Sequence, residues 1–111
     1  MKAVRCTAWG PPDSLVLEEL PDLAAGPGEV VVDVKAAGVN FPDVLTVQGK
    51  YQVRPPLPFT PGNEFAGVVR AVGAGVRGFA PGQRGVGFTR TGAFAERGVA
   101  PAGAFLSLPV D

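Results

Sequence analysis

Apolar positions in this chain fall into short runs, each closed by glycine, proline or aspartate. Residues 2–9 alternate loosely between apolar and polar and stop at Gly10-Pro11-Pro12-Asp13, a cluster of turn formers. Residues 15–20 predict a second strand, ended by Pro21. Pro27-Gly28 opens residues 29–38, where Val30, Val31, Val32 and Val34 give the strongest strand signal in the sequence. Asn40 followed by Phe41 and Pro42 is a helix-start pattern, and Gly49 is a stop, so the spacing predicts one short helix. Residues 53–62 hold Pro55, Pro56, Pro58 and Pro61, which cannot donate regularly to a ladder and predict an extended loop. Further strands are expected over 64–72, 86–88, 93–99 and 105–108, with turn-rich chain over 73–85. Seven or so strands with one or two short helices predict a mainly β fold, a partly open barrel.

Composition narrows this picture. The 111 residues make one domain, 1–111, with neither an internal repeat nor a separating linker. Sixteen glycines and twelve prolines, set between Val- and Leu-rich segments, are the punctuation of short strands and many turns. Ten basic residues balance ten acidic ones, so neither a nucleic acid nor an acidic membrane surface is an expected partner. The single cysteine, Cys6, rules out an intrachain disulfide and is read as a small core hydrophobe. Met1 runs directly into a strand pattern without a signal-peptide apolar region, and the apolar run at 65–69 is far short of a membrane span. A cytoplasmic location is the expectation.

Gly73-Ala74-Gly75-Val76-Arg77-Gly78 matches the dinucleotide fingerprint G-x-G-x-x-G, and a predicted strand precedes it. That motif works only when a helix follows, because the helix N-terminus faces the pyrophosphate. Here Phe79-Ala80-Pro81-Gly82 follows, which stops a helix almost at once. The glycines therefore predict a hairpin turn.

Specific stretches carry a resemblance over nearly the whole chain. They are Met1-Lys2-Ala3-Val4, then Gly38-Val39-Asn40-Phe41-Pro42-Asp43, then Pro61-Gly62-Asn63-Glu64-Phe65-Ala66-Gly67, then Val72-Gly73 running on to Pro81-Gly82-Gln83-Arg84. In this order and spacing they resemble the amino-terminal GroES-like barrel of the medium-chain dehydrogenase/reductase superfamily. Val39 to Asp43 and Gly49-Lys50-Tyr51 look like its quinone oxidoreductase and enoyl reductase branches. The resemblance implies a substrate-side catalytic domain, with the Rossmann domain that binds NADPH, or less often NADH, absent from these residues. Zinc alcohol dehydrogenases place a cysteine ligand where this chain has Asn40 and a histidine ligand where it has Asn63. No histidine occurs anywhere, so a thiolate and imidazole set is not available and no zinc is expected. Alcohol oxidation is helped by a Lewis acid that makes an alkoxide. Its absence favours hydride delivery to an acceptor that is already electrophilic, a quinone or an α,β-unsaturated carbonyl.

Asn40 is the first candidate catalytic and cofactor-contacting residue, by resemblance beside the nicotinamide and the acceptor. It is equally a good helix N-cap. Tyr51 is the second, a hydroxyl that would orient or protonate the reduced acceptor, or simply an amphipathic ring over the core. Phe41, Asp43 and Phe59 join Tyr51 as candidate substrate contacts. Asp43 lies one helical turn from Asn40 and would face the same cleft, or else would favour the helix dipole. Glu64 is expected to pair with Arg84 or Arg90. Where many quinone oxidoreductases carry a further tyrosine, this chain has Leu45, which leaves the acceptor open. An enoyl thioester is the alternative acceptor. A stand-alone binding or oligomer-forming barrel is the alternative of another class, with the loop at 53–61 as its one candidate contact. Apolar groups around Phe41, Val44, Phe59 and the last strand are expected to be exposed and to drive self-association.

Overall fold

The computed structural model describes residues 1–52 and 54–109; Val53, within the predicted proline-rich loop, and residues 110–111 lie outside them. The fold is mainly β. A two-stranded sheet pairs β1 (Lys2–Arg5) with β2 (Val16–Glu19). A curled, antiparallel five-stranded sheet contains β3 (Glu29–Ala37), β4 (Glu64–Val72), β5 (Arg84–Phe88), β6 (Arg97–Pro101) and β7 (Phe105–Ser107), in the order β6-β3-β4-β5-β7. One helix, α1 (Phe41–Val47), joins β3 to the proline-rich segment, and single 3-10 turns occupy Pro12–Ser14 and Ala102–Ala104. Between β4 and β5 no helix forms, so the glycines at 73–78 sit in turns, as the proline behind them requires.

Two burial patterns explain the sheet. Along β4, Phe65, Gly67 and Val69 are buried while Ala66, Val68 and Arg70 are more open, the alternation of a strand with one core face. In β3, Val30, Val31 and Val32 are all fully buried, so this strand is covered on both faces and reads as an unbroken valine run. The main core joins Val30, Val32, Phe65, Val69, Ala93, Ala100 and Phe105. A smaller cluster under α1 joins Cys6, Val47 and Phe59, with Trp9 and Leu15 against it. Burial pushes the Cys6 thiol up from its ordinary value, and the side chain packs in this cluster as the small core hydrophobe the sequence implies.

Several element boundaries differ from the sequence expectation, for one physical reason. The first strand ends at Arg5 rather than near Trp9, because the Cys6 N–H and C=O both pair with Phe59 across the fold. The strand expected over 93–99 begins only at Arg97. Before it, the Phe94 N–H donates to Pro61 and its carbonyl accepts from Val4, tying the two sheets together. In both places a long-range backbone partner replaces a continued ladder, and nothing in the local residue pattern signals it.

Candidate functional site

The site is built where β3 runs out into α1. Gly38 ends the strand, Val39 is 74% exposed, and Asn40 takes an extended backbone conformation (φ −119°, ψ 160°) before the helix starts. Its own N–H donates to the Asp43 carboxylate at 2.8 Å, and the Asp43 N–H points back to Asn40, closing a capping box. Pro42 inside the first turn costs no hydrogen bond there. These features fix the helix start independently of packing.

Asn40 itself is solvent-exposed. Its Nδ2 donates to Glu64 Oε1 at 3.3 Å, across from the first residue of β4. Glu64 reaches that point because position 38 is glycine: a Cβ there would meet the Glu64 carboxylate. The sheet register brings the two segments together, since the Gly38 N–H donates to the Glu64 carbonyl at 3.3 Å. This corrects the expected pairing of Glu64 with an arginine. Arg84 donates instead to the Pro109 carbonyl at 2.9 Å, and the contribution of Arg90 is its backbone carbonyl, which accepts from the Asn63 amide at 2.6 Å. Asn63 thus fastens the 88–91 turn to β4, assisted by the Thr89 N–H donating to the Asn63 carbonyl at 2.8 Å.

The other candidates are distributed unevenly. Phe41, 74% exposed, stands beside Asn40. Asp43 is only 5% exposed, and its carboxylate is turned to the Asn40 backbone; the expectation that it shares an open cleft face with Asn40 is corrected, because the capping box uses it. Phe59 is 6% exposed and packs on Trp9 at 5.9 Å between ring centroids, so it is a core ring, and its expected exposure is corrected too. Val44 is half-buried rather than exposed. Tyr51, half-buried, lies beyond the far end of α1. The helix has seven residues, so about 10 Å of helix stands between the backbones of Asn40 and Tyr51. The structure brings Asn40, Phe41 and Glu64 together and leaves Tyr51 apart. Glu64 was missed as a partner of Asn40; the signal was Gly38, whose missing side chain leaves the space that the glutamate fills.

Next to this group the outer face of the sheet is apolar. Glu64 pairs with Phe88, Ala66 with Val86, and Val86 with Leu106, and alternate residues share a face. Phe88 is 44% and Leu106 62% exposed. No helix among the described residues is long and apolar enough to cross a membrane.

Residues 26–110 match the family description Alcohol dehydrogenase GroES-like domain. Quinone oxidoreductase-like protein 2 of Mus musculus is 44% identical over 96 residues, 86% of this chain and 27% of that protein. The crystal structure of the human synaptic vesicle membrane protein VAT-1 homolog-like protein superposes with a TM-score of 0.96 at 33% identity, covering 100% of this chain and 36% of that one. The quinone oxidoreductase of Escherichia coli, solved with NADPH, gives a TM-score of 0.92 at 32% identity over 98% of this chain and 33% of its own. The chain thus spans about a third of the length of these proteins. Sequence motifs, sheet order and superposition agree, and the chain belongs to the alcohol dehydrogenase GroES-like domain family.

Proposed function

We propose that this chain is the substrate-side domain of an oxidoreductase in which NADPH reduces a quinone or an α,β-unsaturated carbonyl without zinc. The observation that carries the reading is Asn40: an exposed amide on a rigid helix start, with one Nδ2 hydrogen held by Glu64. Nδ2 has two hydrogens, so one donor remains for a ligand. NADPH, when bound, would supply the hydride that the acceptor takes up. As the hydride arrives, negative charge develops on the acceptor oxygen, and a preorganised neutral donor such as the Asn40 amide stabilises that charge. Glu64 fixes the amide beforehand, which removes the cost of orienting it during the reaction. Tyr51, at the other end of α1, would hold the far side of an extended acceptor through its hydroxyl.

The residues present fit the nicotinamide end of the cofactor and not its phosphates. The glycine turn at 73–78 offers no following helix, so the pyrophosphate grip belongs to residues outside this chain. A catalytic zinc does not fit: histidine is absent and the one cysteine is buried in the small core cluster. Among the described residues, no group of three or more His, Cys, Asp or Glu is placed to hold a metal.

Asn40→Ser tests the amide. Serine keeps a capping oxygen, so helix stability should change by a few tenths of a kcal/mol. The amide donor is lost from its position, because the shorter serine hydroxyl does not reach it, so in a chimera carrying this chain in place of the matching third of the E. coli enzyme, kcat should fall about a hundredfold to a thousandfold. A chimera with full activity and serine at position 40 would remove the role given to Asn40.

The apolar sheet face has a second consequence. With Val39, Phe41, Phe88 and Leu106 open to solvent, the chain should self-associate at high concentration or bind an apolar dye. Sedimentation with a strictly monomeric result, together with no dye fluorescence, would contradict this.

A further inference from the structure

The Asn40–Glu64 pair stands at the head of an apolar groove on the outer face of the sheet. Gly38 and Glu64 form one end of it, so the groove is continuous with the site already described. Its floor is Ala36 on β3, Ala66 on β4 and Val86 on β5. Strand register sets these three in one row, with Ala36 paired to Ala66 and Ala66 paired to Val86. Phe88 is two residues from Val86, on the same face, and is 44% exposed. Methyl groups at 36 and 66 keep the floor low, and the larger Val86 and Phe88 rise beside them. The cleft holds about 380 Å³, within the roughly 300–1,000 Å³ of small-molecule sites. Among the described residues, Glu64 is the sole charged side chain that lines it. Beyond that head the surface offers dispersion and release of water, which suits an uncharged carbon chain. A carboxylate or phosphate there would lose its hydration and find no counter-charge.

We infer that this groove receives an apolar tail on the acceptor. The substrate is then a quinone or enone that carries an alkyl or isoprenoid chain, and Ala66 and Phe88 select for it. The inference deepens the reading of Asn40 as the acceptor's hydrogen-bond donor and rests on it. The acceptor carbonyl takes the free Nδ2 hydrogen, and the tail runs past Glu64 over Ala66. An anionic tail is disfavoured twice, by the uncharged floor and by the Glu64 carboxylate at the entrance.

Alkyl phenyl ketones test the groove without reaction, since they present a carbonyl with a tail of chosen length. In an NMR titration of the 111-residue chain, octanophenone should shift the methyl signals of Ala36 and Ala66. Affinity should rise about tenfold to a hundredfold from acetophenone to octanophenone, because a buried methylene is worth about fourfold and the groove covers only part of each. Ala66→Leu fills the floor and Phe88→Ala removes the wall, and each should erase most of this gain. Phe88→Ala keeps the test decisive if the leucine disturbs the sheet. In the chimera with the E. coli enzyme, kcat/KM for an octyl-substituted benzoquinone should exceed that for benzoquinone itself by a similar factor. Ala66→Leu should bring those two values together. Equal affinities along the ketone series would overturn the inference, as would shifts confined to other faces or equal kcat/KM in the chimera. The underlying reading fails differently: an Asn40→Ser chain that binds both ketones as tightly as wild type would remove the amide donor, while the dependence on tail length still stood.

Discussion

Phe65→Ala is expected to lower stability by about 3–5 kcal/mol, the range for truncating a buried aromatic ring. Phe65 is 2% exposed and lies in the middle of the main core. Its ring occupies space that two glycines leave empty. A Cβ at Gly87 would stand 2.7 Å from Phe65 Cζ, and one at Gly98 would stand 3.2 Å from it. The strands bearing those glycines, β5 and β6, flank the central pair, so the ring is what their faces pack on. Because they are held by the ladder, they cannot collapse into the void, which places the cost at the upper part of the range. Total stability for a domain of this size is of order 5–15 kcal/mol. The urea midpoint should therefore fall by roughly 2 M at a slope of 1–3 kcal/mol per molar. Phe88→Ala is the matched control: the ring is 44% exposed on the outer face, and its loss should cost about 1 kcal/mol or less. Equal losses for the two rings would mean that the core has been wrongly located.

What could be read in advance follows from where each interaction lies in the sequence. The valines of β3 and the helix start at Asn40 were legible because their causes are local: β-branched residues prefer strands, and Asn-Phe-Pro-Asp contains its own capping box. The failure of the glycine fingerprint was legible for the same reason, since Pro81 lies a few residues from it. Contacts between distant segments were not legible. Cys6 with Phe59, Phe94 with Val4 and Asn40 with Glu64 are set by sheet register and curvature. Phe59 was expected as a substrate contact from its apolar ring alone. Its burial depends on Trp9, which lies fifty residues earlier in the chain.

The second large effect concerns catalysis by the chain alone. Hydride transfer needs the nicotinamide held at near-attack distance from the acceptor, an organisation worth roughly 7–11 kcal/mol. Asn40 and its neighbours offer the ring end a single free donor and an apolar wall. A few such contacts do not offset the entropy of capturing a large flexible dinucleotide. NADPH affinity should therefore be about millimolar or weaker, and turnover by these residues alone should be absent. Joined to a dinucleotide-binding domain, the same residues should supply the acceptor side of an active enzyme. The most direct measurement follows NADPH absorbance with a small quinone in two samples: the 111-residue chain, and the E. coli chimera that carries it, checked for folding and for NADPH binding. The account predicts quinone-dependent oxidation by the chimera and none above background by the chain. Turnover by the chain alone, or a folded chimera that binds NADPH and leaves quinone unreduced, would contradict it.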